Sequence, residues 1–263
     1  MDPKKTQRQI WHRDQIGSSA SVIQTQTLLT RSIVLDDTTL ILVRQGSKKV
    51  SRENYEMLLT AGDAVLVAAA CPLDVTNILS PQTATYEADW LSFPGSLSAE
   101  LPHALHNLSE SFRCAFYHTT AAIIDSSGVP ARVAAKRMEE MTLWLEELGV
   151  RLAPAKTEKL SQKVRKLLAG DPAREWFAAE VAQHFAMSEA TFRRRLSMEN
   201  AAFQQLLTEV RMCHALTLLQ VTDLSVTQVA LAVGYESPSK FTVRFRTRFG
   251  FNPGQIHAKM AVA

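Results

Sequence analysis

The last part of the chain contains one segment twice, and this internal repeat constrains the fold more than any other feature. The segment EVAQHFAMSEATFRRRL aligns with QVALAVGYESPSKFTVRF. The offset is 48 residues at the start and 49 at the end, so one residue is inserted in the turn. The matching positions are apolar in both copies: Val181 with Val229, Ala182 with Ala230, Phe192 with Phe241 and Leu196 with Phe245. Each copy predicts a short helix, a tight turn and a second helix, the layout of a helix-turn-helix unit.

The second helix of the first copy has three consecutive arginines, and helical geometry separates them. Phe192 and Leu196 share one face because they are four residues apart. A rotation of about 100° per residue leaves Arg195 near the core edge. The same rotation places four side chains on the outward face: Ala190, Arg193, Arg194 and Ser197. One such hairpin is a weak signal, because short helical hairpins are common, whereas two bridged by one long helix are far more specific.

The net charge of +3 hides an asymmetry between the two halves of the chain. Residues 1–150 carry a net charge of −4, with 13 basic and 17 acidic residues. Residues 151–263 carry +7, with 16 basic and 9 acidic residues. The basic half is therefore expected to meet a polyanion.

Several classes of protein are disfavoured by what the sequence lacks. Three scattered cysteines form no CxxC pair, which fits a reducing cytoplasm, and we expect no cofactor. The polar start predicts no signal peptide, and no apolar run is long enough to span a membrane. Residues 13–102 contain no histidine, so we expect no metal site there. His103 and His106 are one helical turn apart in the sequence, and we expect both at the surface. No catalytic constellation or phosphate loop appears, so we expect no enzyme.

The N-terminal half is expected to fold as a small sandwich or barrel, because short apolar runs alternate with turn residues. These runs are TLLTRSIVL, TLILVRQG, AVLVAAA, LDVTNIL and TYEADWLSF. Arg44, Lys48 and Lys49 could pair with an acidic ligand, but they sit in or beside a turn, and solvated charge is the favoured interpretation. The predicted domain, residues 1–150, comprises a barrel over about 22–95 and helices over about 100–149.

A stripe of apolar residues follows helical spacing late in this first half. It consists of Met138, Met141, Leu145 and Leu148. Two interpretations remain open: a helix lying on the barrel, or a helix that also pairs with a second subunit.

Residues 151–157 are predicted to be a linker, and nearly everything beyond is predicted to be helical. The expected helices cover 158–169, about 175–186, 189–199, 202–220, 225–233 and 238–249, with a short turn after Pro253. Asp171-Pro172 is expected to cap and open the helix near 175, and Ser188 and Ser225 to be N-caps. The helix-turn-helix units cover about 175–199 and 225–249 within a domain of residues 158–263.

With these features the sequence resembles the AraC/XylS family of bacterial transcription regulators. The resemblance is close over about residues 158–258 and only architectural before them. The most telling segment is SVTQVALAVGYESPSKFTVRFRTRFGFNPGQ, in which Gly234-Tyr235, Ser237, Phe241, Phe245, Phe249-Gly250 and Pro253 fall in register. It implies an α+β fold, with an N-terminal cupin-like β-barrel and flanking helices followed by an all-α domain with two helix-turn-helix units.

Two departures from the family pattern are informative. Asn200 stands where a glycine usually follows the first recognition helix, and asparagine is the next-best residue for a left-handed cap. Val243 stands where a basic residue is common, so the second unit either reads thymine methyl groups or relies on backbone contacts.

The resemblance implies a cytoplasmic, sequence-specific DNA-binding regulator, more often an activator that recruits RNA polymerase. The expected DNA-contacting residues are Ala190, Arg193, Arg194, Ser197, Ser239, Thr242, Val243 and Arg246. The weaker candidates for phosphate contacts are Ser188, Arg195, Arg211, Lys240 and Arg248, with structural pairing equally open for Arg211. A small molecule or a protein at the N-terminal domain is expected to modulate activity, and the candidate homodimer contacts are Met138, Met141, Leu145 and Leu148. The alternative is a protein-binding antagonist with impaired DNA binding.

Overall fold

A computed structural model describes residues 9–53, 55–93, 97–98, 102–150, 153–154 and 158–256. The described residues form two compact units. The N-terminal unit comprises those up to 154 with 220–223 and 255–256, and the C-terminal unit comprises those within 156–219 and 224–254. None of the described helices is both long and apolar enough to cross a membrane.

The N-terminal unit is built from antiparallel strands. In chain order they are β1 (Trp11–Arg13), β2 (Gly17–Gln24), β3 (Leu28–Ile33), β4 (Thr38–Gln45), β5 (Ser47–Arg52), β6 (Tyr55–Thr60), β7 (Ala64–Val67), β8 (Leu73–Ile78), β9 (Tyr86–Phe93), β10 (Leu97–Ser98), β11 (His103–Leu105) and β12 (Ala153–Pro154). One sheet has the order β1-β2-β9-β4-β7-β11, a second has the order β3-β8-β5-β6, and β10 and β12 form a third, two-stranded sheet. The five apolar runs of the sequence correspond to β3, β4, β7, β8 and β9, as expected.

The strands that the sequence did not predict are short or carry many polar residues. The sheet begins at Trp11 rather than near residue 22, and β5 and β6 form a hairpin where charged residues suggested a turn. In β5 only alternate residues are buried, so Lys48 and Val50 point inward. His103 lies in β11 rather than in a helix. Both His103 and His106 are exposed, so their expected place at the surface is confirmed. β12 pairs with β10, so part of the expected linker is bonded to this unit.

Two helices complete the N-terminal unit: α1 (Glu110–Ile124), which packs against β1 and β2, and α2 (Ala131–Glu147), which packs against α1. The stripe on α2 faces the core of its own unit. Met138 is 8% exposed, and Met141 and Leu145 are fully buried. These three residues cannot also line an interface with a second subunit, so their assignment as dimer contacts is corrected. Leu148, the C-cap of α2, is 38% exposed.

The C-terminal unit is helical. Its helices are α3 (Leu160–Ala169), α4 (Ala178–His184), α5 (Glu189–Met198), α6 (Phe203–Val221), α7 (Val226–Ala232) and α8 (Pro238–Phe249), and a short 3₁₀ turn follows at Pro253–Gln255. The expected α+β fold is confirmed. One local expectation was wrong: Asp171-Pro172 opens no helix, because Asp171 instead accepts the Arg174 amide in a turn, and α4 starts only at Ala178.

The core of the C-terminal unit contains the apolar positions that the two sequence copies share. Phe192 and Leu196 are buried with α3, α4 and the first half of α6. In the second copy, Phe241 and Phe245 are fully buried in a chain of ring contacts that ends at Phe251. Because each second helix is anchored by residues four apart, its opposite face is left at the surface.

Candidate nucleic-acid interface

The two helix-turn-helix units share their backbone hydrogen bonds as well as their apolar residues. The turn between α4 and α5 contains Ala186 in the left-handed region, with φ +53°, and the Met187 amide donates to Ala182 at 2.9 Å. The turn between α7 and α8 contains Gly234 at φ +77°, and the Tyr235 amide donates to Ala230 at the same distance. The sequence repeat is therefore a structural repeat that includes the tight turn.

A serine caps each second helix and fixes where it begins. The Ser188 hydroxyl accepts from the Thr191 amide, and the Ser237 hydroxyl accepts from the Lys240 amide, both at 3.3 Å. Ser225 caps α7 in the same way, so the cap predictions at Ser188 and Ser225 are confirmed. These N-caps satisfy amide groups that would otherwise lack partners at the helix start.

On α5 the outward face is at the surface, as the helical wheel predicts. Arg193 is exposed but forms an ion pair with Glu189 at 2.6 Å, one helical turn earlier. Arg194 is exposed, and none of the ion pairs found among the described residues includes it. Ala190 and Ser197 are exposed on the same side. Arg194 is thus better placed than Arg193 to offer an uncommitted guanidinium to a ligand.

On α8 the exposed face combines polar, apolar and basic side chains. Ser239, Val243 and Arg246 are exposed, with Val243 at 56%, and Thr242 is half-buried. Lys240 is exposed near the start of the helix. The face therefore has an apolar centre and a cation in the last turn.

Two candidate phosphate ligands instead hold the C-terminal unit together. The Arg211 guanidinium, on α6, donates to the carbonyls of Pro172 and Arg174, each at 3.0 Å. Arg248 donates from Nε to both carboxylate oxygens of Glu209, at 2.8 and 2.7 Å, and its side chain is only 16% exposed. The structure supports structural pairing, and not a phosphate contact, for Arg211. Arg248 belongs to an internal ion pair and is not a free charge.

Arg195 lies beside a groove at the edge of α5 rather than with Arg194. The groove has a volume of about 570 Å³, and Met187, Met198 and the start of α3 line it with Arg195. Met198 is 79% exposed. The position of Arg195 on the flank agrees with the sequence prediction that it lies near the core edge.

The end of α5 is closed by two adjacent residues. Asn200 adopts φ +54°, so the left-handed position expected from its place in the sequence is confirmed. The Glu199 carboxylate accepts from the backbone amides of Leu160 and Ser161, at 2.9 and 2.8 Å, and so caps α3. Burial acts to raise the pKa of Glu199, but the hydrogen bonds from Ser161 and Leu160 hold it below its ordinary value.

Sequence reasoning missed a polar cluster inside the N-terminal unit. Lys48 was interpreted as solvated, yet it is 5% exposed, and its ammonium donates to Asn77 Oδ1 at 2.6 Å. Asn77 in turn donates to Gln24 Oε1 at 2.9 Å. Lys49 is 41% exposed and pairs with Glu56, and Arg44 pairs with Glu87 and Asp89. Strand alternation around β5 would have been the only signal for Lys48 in the sequence.

Comparisons with known proteins agree with this geometry. A model of the family described as a helix-turn-helix domain matches residues 181–259. The DNA-binding dual transcriptional regulator Rns of Escherichia coli is 37% identical over 96 residues, which is 36% of each chain. The virulence regulon transcriptional activator VirF of Shigella flexneri is 29% identical over 112 residues, 43% of each chain. The matched segments thus span well under half the length of these regulators.

Two solved structures of ToxT from Vibrio cholerae show the same fold over most of the chain. One, bound to an unsaturated fatty acid, has a TM-score of 0.60 at 14% identity and covers 96% of this chain and 95% of that chain. The other, bound to (E)-4-(8-methylnaphthalen-1-yl)but-3-enoic acid, has a TM-score of 0.62 at 11% identity, with 90% and 97% covered. At this identity the likeness concerns the fold alone.

One segment of the chain contains both copies of the repeat and their two matching turns. The same segment is the part of the chain that is similar to the regulators. The C-terminal unit is therefore similar to the helix-turn-helix domains of these transcription regulators, which agrees with the resemblance of its sequence to the AraC/XylS family.

Proposed function

We propose that the chain is a sequence-specific DNA-binding transcription regulator, and an activator in preference to a repressor. The observation that carries this proposal is the pair of equivalent units, each with a buried aromatic anchor and an exposed second helix, in a strongly basic segment. Helices of this kind enter the major groove of double-stranded DNA. RNA polymerase is the partner that activation implies, and the relatives that are named as activators support this direction.

The spacing of the two units fits successive major grooves. The bridging helix α6 has 19 residues, which corresponds to roughly 28 Å at 1.5 Å per residue. Grooves on one face of the duplex recur about every 34 Å. A rigid helix of this length would hold α5 and α8 close to that separation, so both could contact one face of the DNA.

The exposed residues divide by the contacts that they offer. Arg194 is proposed to read a base edge, since guanidinium groups bind guanine in two contacts, and Ala190 and Ser197 let the helix approach closely. Val243 is proposed to contact a thymine methyl group. Arg246 is proposed to bind a phosphate, with Ser239, Thr242, Arg193 and Lys240 as further contacts.

The test is fluorescence anisotropy of the full chain with duplexes from the promoter next to its own gene, across a range of salt concentrations. Arg194→Ala should weaken specific binding by roughly 1–3 kcal/mol and relax preference at one base pair. Arg246→Ala should weaken binding to all sequences and lower the salt slope by about one unit. Arg195→Ala is the control on the same helix and should leave base preference unchanged. Affinity that does not change with salt would contradict the proposal.

The N-terminal unit is proposed to receive the regulatory signal. The ToxT structures with a fatty acid and with a naphthalenyl butenoic acid support a small organic acid as the class of effector. A regulatory protein is the other candidate for this signal. A homodimer remains part of the proposal, but its contacts must lie outside Met138, Met141 and Leu145, because those residues are buried. A regulator acting on bacterial promoters would work in the cytoplasm and would need no catalysis.

The alternative function is a protein-binding antagonist of another regulator. Val243 favours it, since an apolar residue replaces a basic one on the exposed face of α8. An antagonist would bind duplex DNA with no preference for its own promoter over a scrambled duplex of equal length. The same anisotropy measurements therefore distinguish the two functions.

A further inference from the structure

The groove beside α5 is lined by apolar side chains that reach the surface of the C-terminal unit. Met198, the last residue of α5, is 79% exposed. Phe185 and Met187, in the turn between α4 and α5, are half-buried in the same groove, and Leu160 at the start of α3 also lines it. Methionine has a flexible and polarizable side chain that adapts to different apolar partners. A cluster of exposed apolar side chains of this kind marks an interaction surface.

Three basic side chains line the same groove: Lys159, Lys163 and Arg195. Lys159, the N-cap of α3, and Lys163 are four residues apart and therefore lie on one side of that helix start. Arg195 projects from α5, and its Nη1 donates to Met187 Sδ at 4.0 Å. All three cations are exposed, and none of the ion pairs among the described residues includes any of them. The apolar side chains are thus bordered by positive charge from two helices.

The two carboxylates that line the groove are already engaged inside the C-terminal unit. Glu158 forms an ion pair with Lys166 on α3. Glu199, the C-cap of α5, accepts from the amides of Leu160 and Ser161 at the start of α3. These contacts fasten the end of α5 to the start of α3, so the groove is formed before anything binds in it. A preformed site loses less conformational entropy on binding than a flexible one.

An occupant of this groove must supply apolar and acidic groups together. The volume of about 570 Å³ lies within the range of roughly 300–1,000 Å³ that is common for binding clefts. A nucleic acid backbone would use the three cations but would offer little to Met198. An amphipathic helix can lay its apolar face in such a groove and place carboxylates against the cations at its border.

We propose that the groove beside α5 binds an acidic amphipathic helix from a regulatory protein. Its large apolar side chains would cover the methionines and Phe185, and its carboxylates would pair with the three basic side chains. The inference goes beyond the proposed function, because binding here requires neither DNA nor the N-terminal unit. It also gives Met198 and Arg195 a shared role that the outward face of α5 does not explain.

The test is fluorescence anisotropy of labelled synthetic peptides with the full chain, in the absence of DNA. The probe is an amphipathic helix with leucines on one face and glutamates on the other. Two further peptides of equal length change one feature each: lysines replace the glutamates in one, and alanines replace the leucines in the other. We expect the leucine–glutamate peptide to bind about tenfold more tightly than either of them. Because no DNA is present, a negative result leaves the DNA-binding proposal intact.

Two variants locate the site. Lys163→Glu should weaken binding of the leucine–glutamate peptide about fivefold, because it places a carboxylate opposite the glutamates. Met198→Ser should weaken it by a similar factor, because it removes the most exposed apolar side chain of the groove. Arg244→Glu on α8 and Leu231→Ser on α7 are matched controls outside the groove and should bind the peptide as the wild type does. All four side chains are exposed, so each variant should keep the fold, which circular dichroism checks.

The salt dependence of duplex binding tests the competing assignment, in which the groove binds DNA phosphates. We expect Lys163→Glu to leave the salt slope unchanged, and a slope lower by about one unit would assign the groove to DNA and overturn the proposal. Four results with the peptides would also overturn it: no binding of the leucine–glutamate peptide, equal binding of either altered peptide, unchanged binding in Lys163→Glu or in Met198→Ser, or equal losses in the control variants.

Discussion

Gly234 in the turn of the second helix-turn-helix unit offers the sharpest test of how the C-terminal unit is held together. Its φ of +77° is left-handed, which costs a residue with a Cβ atom roughly 1–2 kcal/mol. A Cβ atom there would lie 2.8 Å from the Ala173 carbonyl oxygen and 2.8 Å from Arg211 Nη2. To relieve the contact, Arg211 would have to move away from the Pro172 and Arg174 carbonyls.

These contributions set the expected size of the effect. The left-handed strain and the loss of part of two charge-assisted hydrogen bonds outweigh the gain of about 0.4–1 kcal/mol from a less flexible unfolded chain. We expect Gly234→Ala to lower the free energy of unfolding by about 2–4 kcal/mol, measured by urea denaturation followed by circular dichroism.

The equivalent position in the first unit is a natural control. Ala186 adopts φ +53° with a Cβ atom already present, so Ala186→Gly should be neutral or stabilising by up to about 1 kcal/mol. Less than about 1 kcal/mol of destabilisation in Gly234→Ala would refute the assignment of Gly234 as a position that only glycine fits. An equal loss in both variants would show that the turn tolerates neither change and that the contact with Arg211 is not the cause.

Three further predictions follow from the internal contacts. Arg211→Met should lower the free energy of unfolding by about 1–3 kcal/mol. Unlike Arg246→Ala, it should leave the salt slope of DNA binding unchanged, and a reduced slope would show that Arg211 binds a phosphate after all. Glu199→Gln should lower the free energy of unfolding by about 1 kcal/mol at neutral pH. Because the pKa of Glu199 is lowered in the folded chain, the difference from wild type should vanish as the pH falls below the ordinary pKa range of a glutamate. Chemical denaturation at several pH values measures this difference. For Lys48 the folded pKa is about 7 against an ordinary 10.5, so between these values the unfolded chain retains a proton that the folded chain has released. Wild-type stability should therefore rise with pH from 7 to 9 relative to Lys48→Met, by at most about 1.4 kcal/mol per pH unit, and parallel curves would contradict the burial of the lysine.

Local chemistry made much of the C-terminal unit predictable. Serine before a helical pattern, as at Ser188 and Ser225, indicates an N-cap because its hydroxyl satisfies a free amide. Asn200 indicated a left-handed cap for a similarly local reason. Asp171 shows the limit of this reasoning, because its side chain can form a turn as readily as it can cap a helix. Only the surrounding packing selects between the two.

The same limit explains what was missed in the N-terminal unit. Met138, Met141 and Leu145 form an apolar stripe whichever surface they cover, and periodicity does not distinguish the core of one subunit from an interface between two. Lys48 is a charged residue in a polar stretch, and only the pairing of β5 with β8 turns it inward. A side chain on a strand changes face with each residue, so register decides burial.

The sequence by itself determined the repeat, its two turns and the outward face of each second helix, because these depend on residues within one or two helical turns. The partners of Arg248, Arg211 and Lys48 were decided by the tertiary structure alone. Arg248 pairs with Glu209, Arg211 donates to the carbonyls of Pro172 and Arg174, and Lys48 donates to Asn77. In each case the two partners are 29 to 39 residues apart in the sequence. Electrostatic pairing acts through space, and no local pattern records which distant residue the folded chain brings within hydrogen-bonding distance.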